Sequence, residues 1–240
     1  MRAPVHLREA RLGDVAPRVI VSGDPSRVDY LAGLLEGARL INAYRGLRVY
    51  TGSFKGAAYT IASHGIGAPS ASIVVEELIM LGAKAIVRLG TCGSLKAEVK
   101  LGDIVIPTVA AHYSGGLYYQ YMGEHACPPA APTFDVLKEL VDEASSRKAR
   151  FHLGPIVSSD AFYAEDPGLA RRWGERGVLA VEMECSALFT LGHMRGVKTG
   201  AILVVSDTLI DGGHATGEEL REHIRESALI ALNAMAKLRV

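Results

Sequence analysis

Arg88 sits inside Ala85-Ile86-Val87-Arg88-Leu89-Gly90-Thr91-Cys92-Gly93-Ser94, a run that is otherwise apolar or glycine-rich. A guanidinium keeps its charge at any ordinary pH, and burying one without a partner is very costly. Arg88 therefore requires an anion, either a structural carboxylate or a bound ligand. Three other places put polar chemistry at what read as strand ends. Gly23 follows the apolar run at Val19-Ile20-Val21, with Arg27 a turn further on. Glu182 and Glu184 flank Met183 where a strand passes into a helix. Ser206 and Asp207 close the run Ala201-Ile202-Leu203-Val204-Val205. A glycine before a fresh helix N-terminus offers free N–H groups and partial positive charge, which suits an anion. The two glutamates are either partners of the helix dipole or acceptors for a vicinal diol such as a sugar supplies. Asp207 is either a turn residue or a general acid. Ligands of open α/β sheets gather at the carboxyl ends of strands, where all of these residues fall. An anion site with Thr91 beside it, a diol acceptor and a proton donor suit cleavage of an N-glycosidic bond by phosphate.

The elements that must hold these groups follow from local patterns. Gly23 makes a turn, Asp24 can cap, and Pro25 suits the first helical position, with Val28, Leu31 and Leu35 on one helix face. Residues 44–56 alternate and then turn, which predicts antiparallel strands. Residues 57–63 read as a strand leading into His64-Gly65-Ile66-Gly67-Ala68-Pro69-Ser70 and a helix over 73–81. The Gly-x-Gly there does not mark a dinucleotide site. A third glycine is missing, and Arg88, Leu89 and Gly90 stand where the ribose-binding acid belongs. The Arg88 stretch predicts a short strand buried on both faces that runs into a glycine-rich turn. Residues 101–107 give a turn and a strand, 134–148 a helix, 152–159 a strand, and 217–238 a long amphipathic helix. The tyrosines at 113, 118, 119 and 121 suit a pocket cover or an interface. Together these elements predict an α/β protein with one domain over 1–240. Its central sheet is mixed but largely parallel and is flanked by helices.

Composition narrows the classes. With 240 residues and 49% hydrophobic residues the chain can bury one large core. A formal net charge of +0 gives no general pull toward nucleic acid or an anionic membrane. No apolar run approaches the roughly 20 residues that span a bilayer, and the N-terminus lacks the apolar stretch of a secretory leader. A cytoplasmic setting is expected. The cysteines, Cys92, Cys127 and Cys185, match no zinc spacing, and their odd number is not a disulfide framework. Cys92 and Cys185 read as buried thiols. Cys127 reads as a loop thiol, unpaired or bridging to a symmetry mate. Nothing suggests a metal.

The motifs, taken in order, resemble one family. They are Gly23-Asp24-Pro25 with Arg27, Tyr44-Arg45-Gly46, His64-Gly65-Ile66-Gly67-Ala68-Pro69-Ser70, Arg88-Leu89-Gly90-Thr91-Cys92-Gly93, Ser159-Asp160-Ala161-Phe162-Tyr163, Glu182-Met183-Glu184 and Ser206-Asp207. The chain resembles the nucleoside phosphorylases that include the hexameric purine nucleoside and uridine enzymes, and most of all archaeal members acting on purine nucleosides and 5′-methylthioadenosine. The resemblance implies a partly barrel-like sheet. It implies that Gly23, Arg27, Arg88 and Thr91 hold phosphate, joined by Arg45 of a neighbouring subunit. Met183 and Glu184 would hold the ribose, with the neighbour's His6 near its 5′ end. Phe162 would stack on the base, with Ser159, Glu182 and Ser206 close by, and Asp207 would protonate purine N7. Inorganic phosphate would be the co-substrate and no cofactor is needed. Sharing His6 and Arg45 would require a homo-oligomer, a hexamer built as a trimer of dimers. Uridine phosphorylases of this kind carry a Gln and an Arg after the Phe-Tyr pair. Here Ala164, Glu165, Asp166 and Pro167 follow, which favours purines over uridine or mixed specificity. One departure stands out. Bacterial purine enzymes carry an arginine beyond the acid, where this chain has Leu220 beside Arg221, and Gly212-Gly213-His214 intervenes.

Overall fold

Alternation along the strands sets the layers. The computed structural model describes residues 3–113, 115–164, 168–215 and 217–240. The strands are β1 (Arg18–Ser22), β2 (Glu36–Asn42), β3 (Val49–Phe54), β4 (Ala57–Ser63), β5 (Ala85–Ser94), β6 (Ile104–Tyr113), β7 (Phe151–Ser159), β8 (Ala180–Glu182) and β9 (Lys198–Thr208). The helices are α1 (Pro25–Ala32), α2 (Ala68–Leu81), α3 (Leu117–Met122), α4 (Phe134–Ser146), α5 (Leu169–Glu175), α6 (Cys185–Arg195) and α7 (Gly217–Ala236). Val19, Val21, Ile86, Leu203 and Val205 share one apolar cluster with α2 and α6. Their chain neighbours Ile20, Val87, Leu89, Ile202 and Val204 share the other with α1, α4 and α7. Successive side chains on a strand point to opposite faces, so both faces of the sheet are covered.

The sheet order is β2-β3-β4-β1-β5-β8-β7-β6-β9, and β9 pairs back with β5. That last pairing closes β5, β8, β7, β6 and β9 into a ring and leaves β1, β4, β3 and β2 as an open wing. The sheet is mixed, as expected. β1 runs parallel to β4 and β5, β5 to β9, and β7 to β6 and β8. β3 lies antiparallel to β2 and β4, β8 to β5, and β6 to β9.

Two expectations need correction. β5 does not stop at a glycine turn. It pairs with β9 from Ala85↔Lys198 to Ser94↔Thr208, with one irregularity after Cys92. A strand held by ladders along its whole length keeps its glycines extended. Likewise β6 continues past Pro107 to Tyr113, because a register shift between Pro107 and Val109 absorbs the missing N–H. The edge strand β2 was not anticipated. Its first five residues are exposed and carry no alternating signal.

The local capping chemistry is as read. Asp24 is the N-cap of α1 and accepts from Ser26 N at 2.8 Å, with Pro25 in the first turn. Cys92 and Cys185 are buried free thiols and Cys127 is an exposed one. No helix among the described residues is long and apolar enough to cross a membrane.

Candidate active site

Arg88 points to the α2 and α6 side of β5, because its neighbours Val87 and Leu89 belong to the opposite cluster. Gly90 is the next residue on that face, so the arginine side chain lies along the strand over it. A Cβ built on Gly90 would come within 2.6 Å of Arg88 Cζ. The glycine is there for clearance rather than for a turn. Gly90→Ala is expected to lower the urea midpoint at unchanged slope, since overpacking typically costs about 1–3 kcal/mol. Without the clash, Ala for Gly in extended backbone would be neutral or stabilising. A midpoint at or above wild type would show that the guanidinium has room to spare.

The anion that Arg88 requires is internal. Arg88 Nε meets Glu182 Oε2 at 3.1 Å and Nη2 meets Glu184 Oε2 at 2.5 Å, with the three side chains 6%, 1% and 6% exposed. Glu182 closes a terminus as well. It accepts from Glu184 N at 2.8 Å and Cys185 N at 2.9 Å, satisfying N–H groups that open α6. The Ser158 hydroxyl also donates to it, and Ser158 Oγ accepts from Ser186 N at 2.9 Å. Glu184 Oε1 accepts from Gly67 N at 2.7 Å, at the start of α2. Two helix N-termini therefore face this cluster. Burial pushes the Glu184 carboxyl above the usual carboxylate range, the Arg88 charge opposes that, and Glu182 reinforces it. Arg88 itself is held firmly protonated: burial works against its charge, and Glu184 and Glu182 outweigh it.

His64 closes the near side. It is buried, and its Nε2 lies 3.2 Å from Arg88 Nη1. Burial first, then the Arg88 charge, push its proton affinity well below the ordinary imidazole value. The ring is neutral and Nε2 accepts from the guanidinium. His64 ends the strand beside β1, since His64 N donates to Ser22 O at 2.9 Å. A Cβ on Gly23 would meet Gly65 O at 3.0 Å, so the two loops touch where only glycine fits easily. Arg27 is half-buried there and its Nη1 donates to Ser22 Oγ at 3.3 Å. Burial lowers its proton affinity, Asp24 opposes this, and the charges of Arg88 and Glu184 are both felt.

The fourth element brings the aspartate. Asp207 pairs with Gly93 across the β5–β9 ladder. Ser206 Oγ donates to Asp207 Oδ1 at 2.8 Å. A Cβ on Gly93 would lie 2.6 Å from Asp207 Oδ2, so this glycine too gives room to a charged side chain. Cys92, between the two ends of the cluster, is driven up by burial and then by the charges of Asp207 and Glu182. Gly23 and Arg27 thus follow the end of β1, Arg88 and Thr91 lie within β5, Glu182 and Glu184 stand where β8 passes into α6, and Ser206 and Asp207 lie near the end of β9, further along β5 than Arg88. Met183, between the two glutamates, is half-buried. Ser159 is buried at the end of β7, and Phe162 is 59% exposed, edge-on to Tyr163 at 5.2 Å. Residues 165–167, whose identities bear on base choice, lie outside the described residues.

His6 and Arg45 lie apart from this group, and no contact among the described residues joins either to Arg88, Glu184 or Asp207. Instead they share one surface unit. Glu77 of α2 accepts from the backbone N–H groups of Val5, His6 and Leu7 at 3.0, 2.9 and 2.6 Å and meets His6 Nδ1 at 2.9 Å. Glu9 then accepts from Ala43 N at 2.7 Å, and Arg8 Cζ lies 3.5 Å from the centroid of Tyr44. Arg45 follows, exposed and at φ 57°. A non-glycine residue in that region carries strain of about 1–2 kcal/mol. Glu77 escaped sequence reading, although it falls on the buried face with Val74, Leu78 and Leu81, where a carboxylate demands donors.

Known proteins resemble the chain in both sequence and fold. A family description, Phosphorylase superfamily, matches residues 17–238. The chain is 38% identical over 233 residues to a guanosine phosphorylase of Halorubrum lacusprofundi, covering 94% of this chain and 95% of that one. It is 40% identical over 225 residues to a DeoD-type purine nucleoside phosphorylase of Caldanaerobacter subterraneus subsp. tengcongensis, covering 93% and 96%. Among solved structures, a uridine phosphorylase from Vibrio fischeri superposes with TM-score 0.89 at 31% identity, covering 99% of both chains. A purine nucleoside phosphorylase from Toxoplasma gondii in complex with immucillin-H gives TM-score 0.89 at 31% identity, covering 98% of this chain and 96% of that one.

Proposed function

Because the chain belongs to the phosphorylase superfamily, we propose that it cleaves purine nucleosides with inorganic phosphate, releasing free base and ribose 1-phosphate. The observation that carries this is that one strand, β5, carries both halves of the set: Arg88, paired with the buried Glu184, and further along it Gly93, which faces Asp207 of β9. The C1′–N9 bond breaks, a phosphate oxygen bonds to C1′, the bond electrons pass into the purine, and the Asp207 proton goes to N7. Phosphate beneath C1′ offsets the positive charge that grows on the sugar, and protonation makes the base a neutral leaving group.

The ion pairs of Arg88 leave it able to serve. A guanidinium has five N–H donors, and Glu182, Glu184 and His64 engage one each. Two remain for phosphate, beside Arg27, Thr91 and the N–H groups near Gly23. Glu184 has four lone-pair positions, and Gly67 N, the Met183 N–H and Arg88 engage three of them, so one remains for a ribose hydroxyl. Met183 lines the sugar. Phe162, Ser159 and Ser206 face the base, with Glu182 close by, its oxygens held by Arg88, Ser158 and the N–H groups that open α6. Arg27 and Arg88 are balanced by Glu182 and Glu184, so a lone protomer has little net charge to hold a dianion. Arg45 of a neighbour supplies the excess and its His6 completes the 5′ end, which requires a homo-oligomer, a hexamer in this proposal. The shared surface unit that carries both residues, and the strain at Arg45, support that arrangement. The expected setting is the cytoplasm.

Fold alone does not choose the base, since the uridine and purine enzymes superpose equally well. Asp207 and the residues after Tyr163 favour purines. The test is base release from inosine, adenosine, guanosine, 5′-methylthioadenosine and uridine, each with and without phosphate. Phosphate-dependent cleavage of purine nucleosides is expected. Cleavage indifferent to phosphate would point to a hydrolase, and no cleavage at all to a nucleoside-binding module. Uridine as the preferred substrate would overturn the assignment of Asp207.

A further inference from the structure

Beyond β9 the chain turns back along its own last residues. Thr208 N donates to Gly213 O at 2.9 Å and Ala215 N donates to Ser206 O at 2.7 Å. Asp207 and His214 form an isolated antiparallel bridge. Those two bonds flank the pair rather than join it, so Asp207 and His214 are a non-hydrogen-bonded cross-strand pair. Such partners have Cα atoms about 4.5 Å apart, and their side chains stand together on one face.

The return is held in register by its own turn. Gly212 takes φ 72°, and its N–H donates to Thr208 O at 2.9 Å. Gly213 N donates to Thr208 Oγ1 and Asp211 Oδ1, both at 3.2 Å, and the Thr208 hydroxyl donates to Asp211. Asp211 is held as a carboxylate below its ordinary range by the Thr208 hydroxyl and the Gly213 N–H. Its bonds thus turn it toward the loop. On its other side Asp207 faces Gly93, which has no side chain, and Ser206, which already donates to Oδ1. The arginine nearest in the following helix, Arg221, lies over the Tyr30 ring, 5.5 Å from its centroid, and Leu220 packs into the core.

Resting on the phosphorolysis reading above, we propose that His214 is the positioning residue of the general acid. Its imidazole, directly across from Asp207, donates to the carboxylate that forms when the proton leaves for N7. The donor strengthens as charge appears on Asp207, so it favours the transition state over bound substrate. Its exposure makes His214→Ala a mild change for folding.

The test compares inosine with 7-methylinosine, whose N7 is already alkylated and takes no proton. His214→Ala is expected to lower kcat on inosine about 10- to 100-fold, the range for losing a hydrogen bond to a charged group. The KM for phosphate should not move, 7-methylinosine should be cleaved at the wild-type rate, and His214→Lys should restore much of the inosine rate. An equal loss on both nucleosides would show a merely structural role and overturn the proposal, as would an unchanged inosine rate. Failure of the underlying reading looks different: the wild-type protein would release no base from either nucleoside, or would release it at the same rate with and without phosphate.

Discussion

Asp207→Asn is expected to bind phosphate as the wild type does and to lose about 10²- to 10⁴-fold in kcat on inosine, the usual worth of a positioned general acid. The amide keeps the shape of the carboxyl and can still accept from Ser206 Oγ, which donates to Oδ1 at 2.8 Å. The Gly93 clearance also remains, so the fold has no reason to change. What disappears is the transferable proton. Without it the purine leaves as an anion, and the barrier rises by the free energy of that unneutralised charge. Steady-state kinetics on inosine and 7-methylinosine, with phosphate binding by calorimetry, check this. The loss should fall on inosine and spare the alkylated nucleoside. Wild-type turnover of inosine would remove Asp207 from the chemistry.

The same residues show what a sequence exposes and what it hides. Asp24 and Pro25 were legible as the start of α1 because capping is decided within a few residues. The need of Arg88 for an anion was legible too, since it follows from one charge among apolar neighbours. The identity of the anion was not. Glu182 and Glu184 lie far along the chain, and only the closing of β5 against β8 and β9 brings α6 over the arginine. The same closure misled the reading of Gly90 and Gly93. Glycines after an apolar run suggest a turn, yet here they make room for Arg88 and Asp207 within a continuous strand. His214 was visible only as an interruption, because a bridge between residues on either side of a glycine turn depends on the register of that turn. The family resemblance supplied the order of the motifs, and the packing supplied the reason each residue type is needed.

Arg88→Met tests the core of the site by leaving Glu182 and Glu184 buried without their cation. Breaking a buried ion pair by removing one partner costs about 3–5 kcal/mol, far more than the pair contributes relative to apolar residues. For a chain of this size each kcal/mol lowers Tm by about 2–4 °C. The loss should depend on pH with a defined sign. Glu184 already has a carboxyl raised by burial, and Arg88 is the charge that opposes the rise. Without Arg88 it rises further, so the native state of the variant binds protons that the unfolded chain releases. A folded value above the unfolded one gives stability that is complete at low pH and is lost as pH rises through the folded value. The gap between variant and wild type should therefore be widest at pH 8 and should narrow on acidification toward pH 5. Urea unfolding at both pH values measures it. Adding Glu184→Gln should return part of the stability at pH 8, because a neutral amide can still accept from Gly67 N. The double variant should remain inactive, since neither phosphate nor ribose then has its charged partner. A gap that stayed constant with pH would mean that the two glutamates are not held by Arg88, and the geometry at the centre of the site would have to be abandoned.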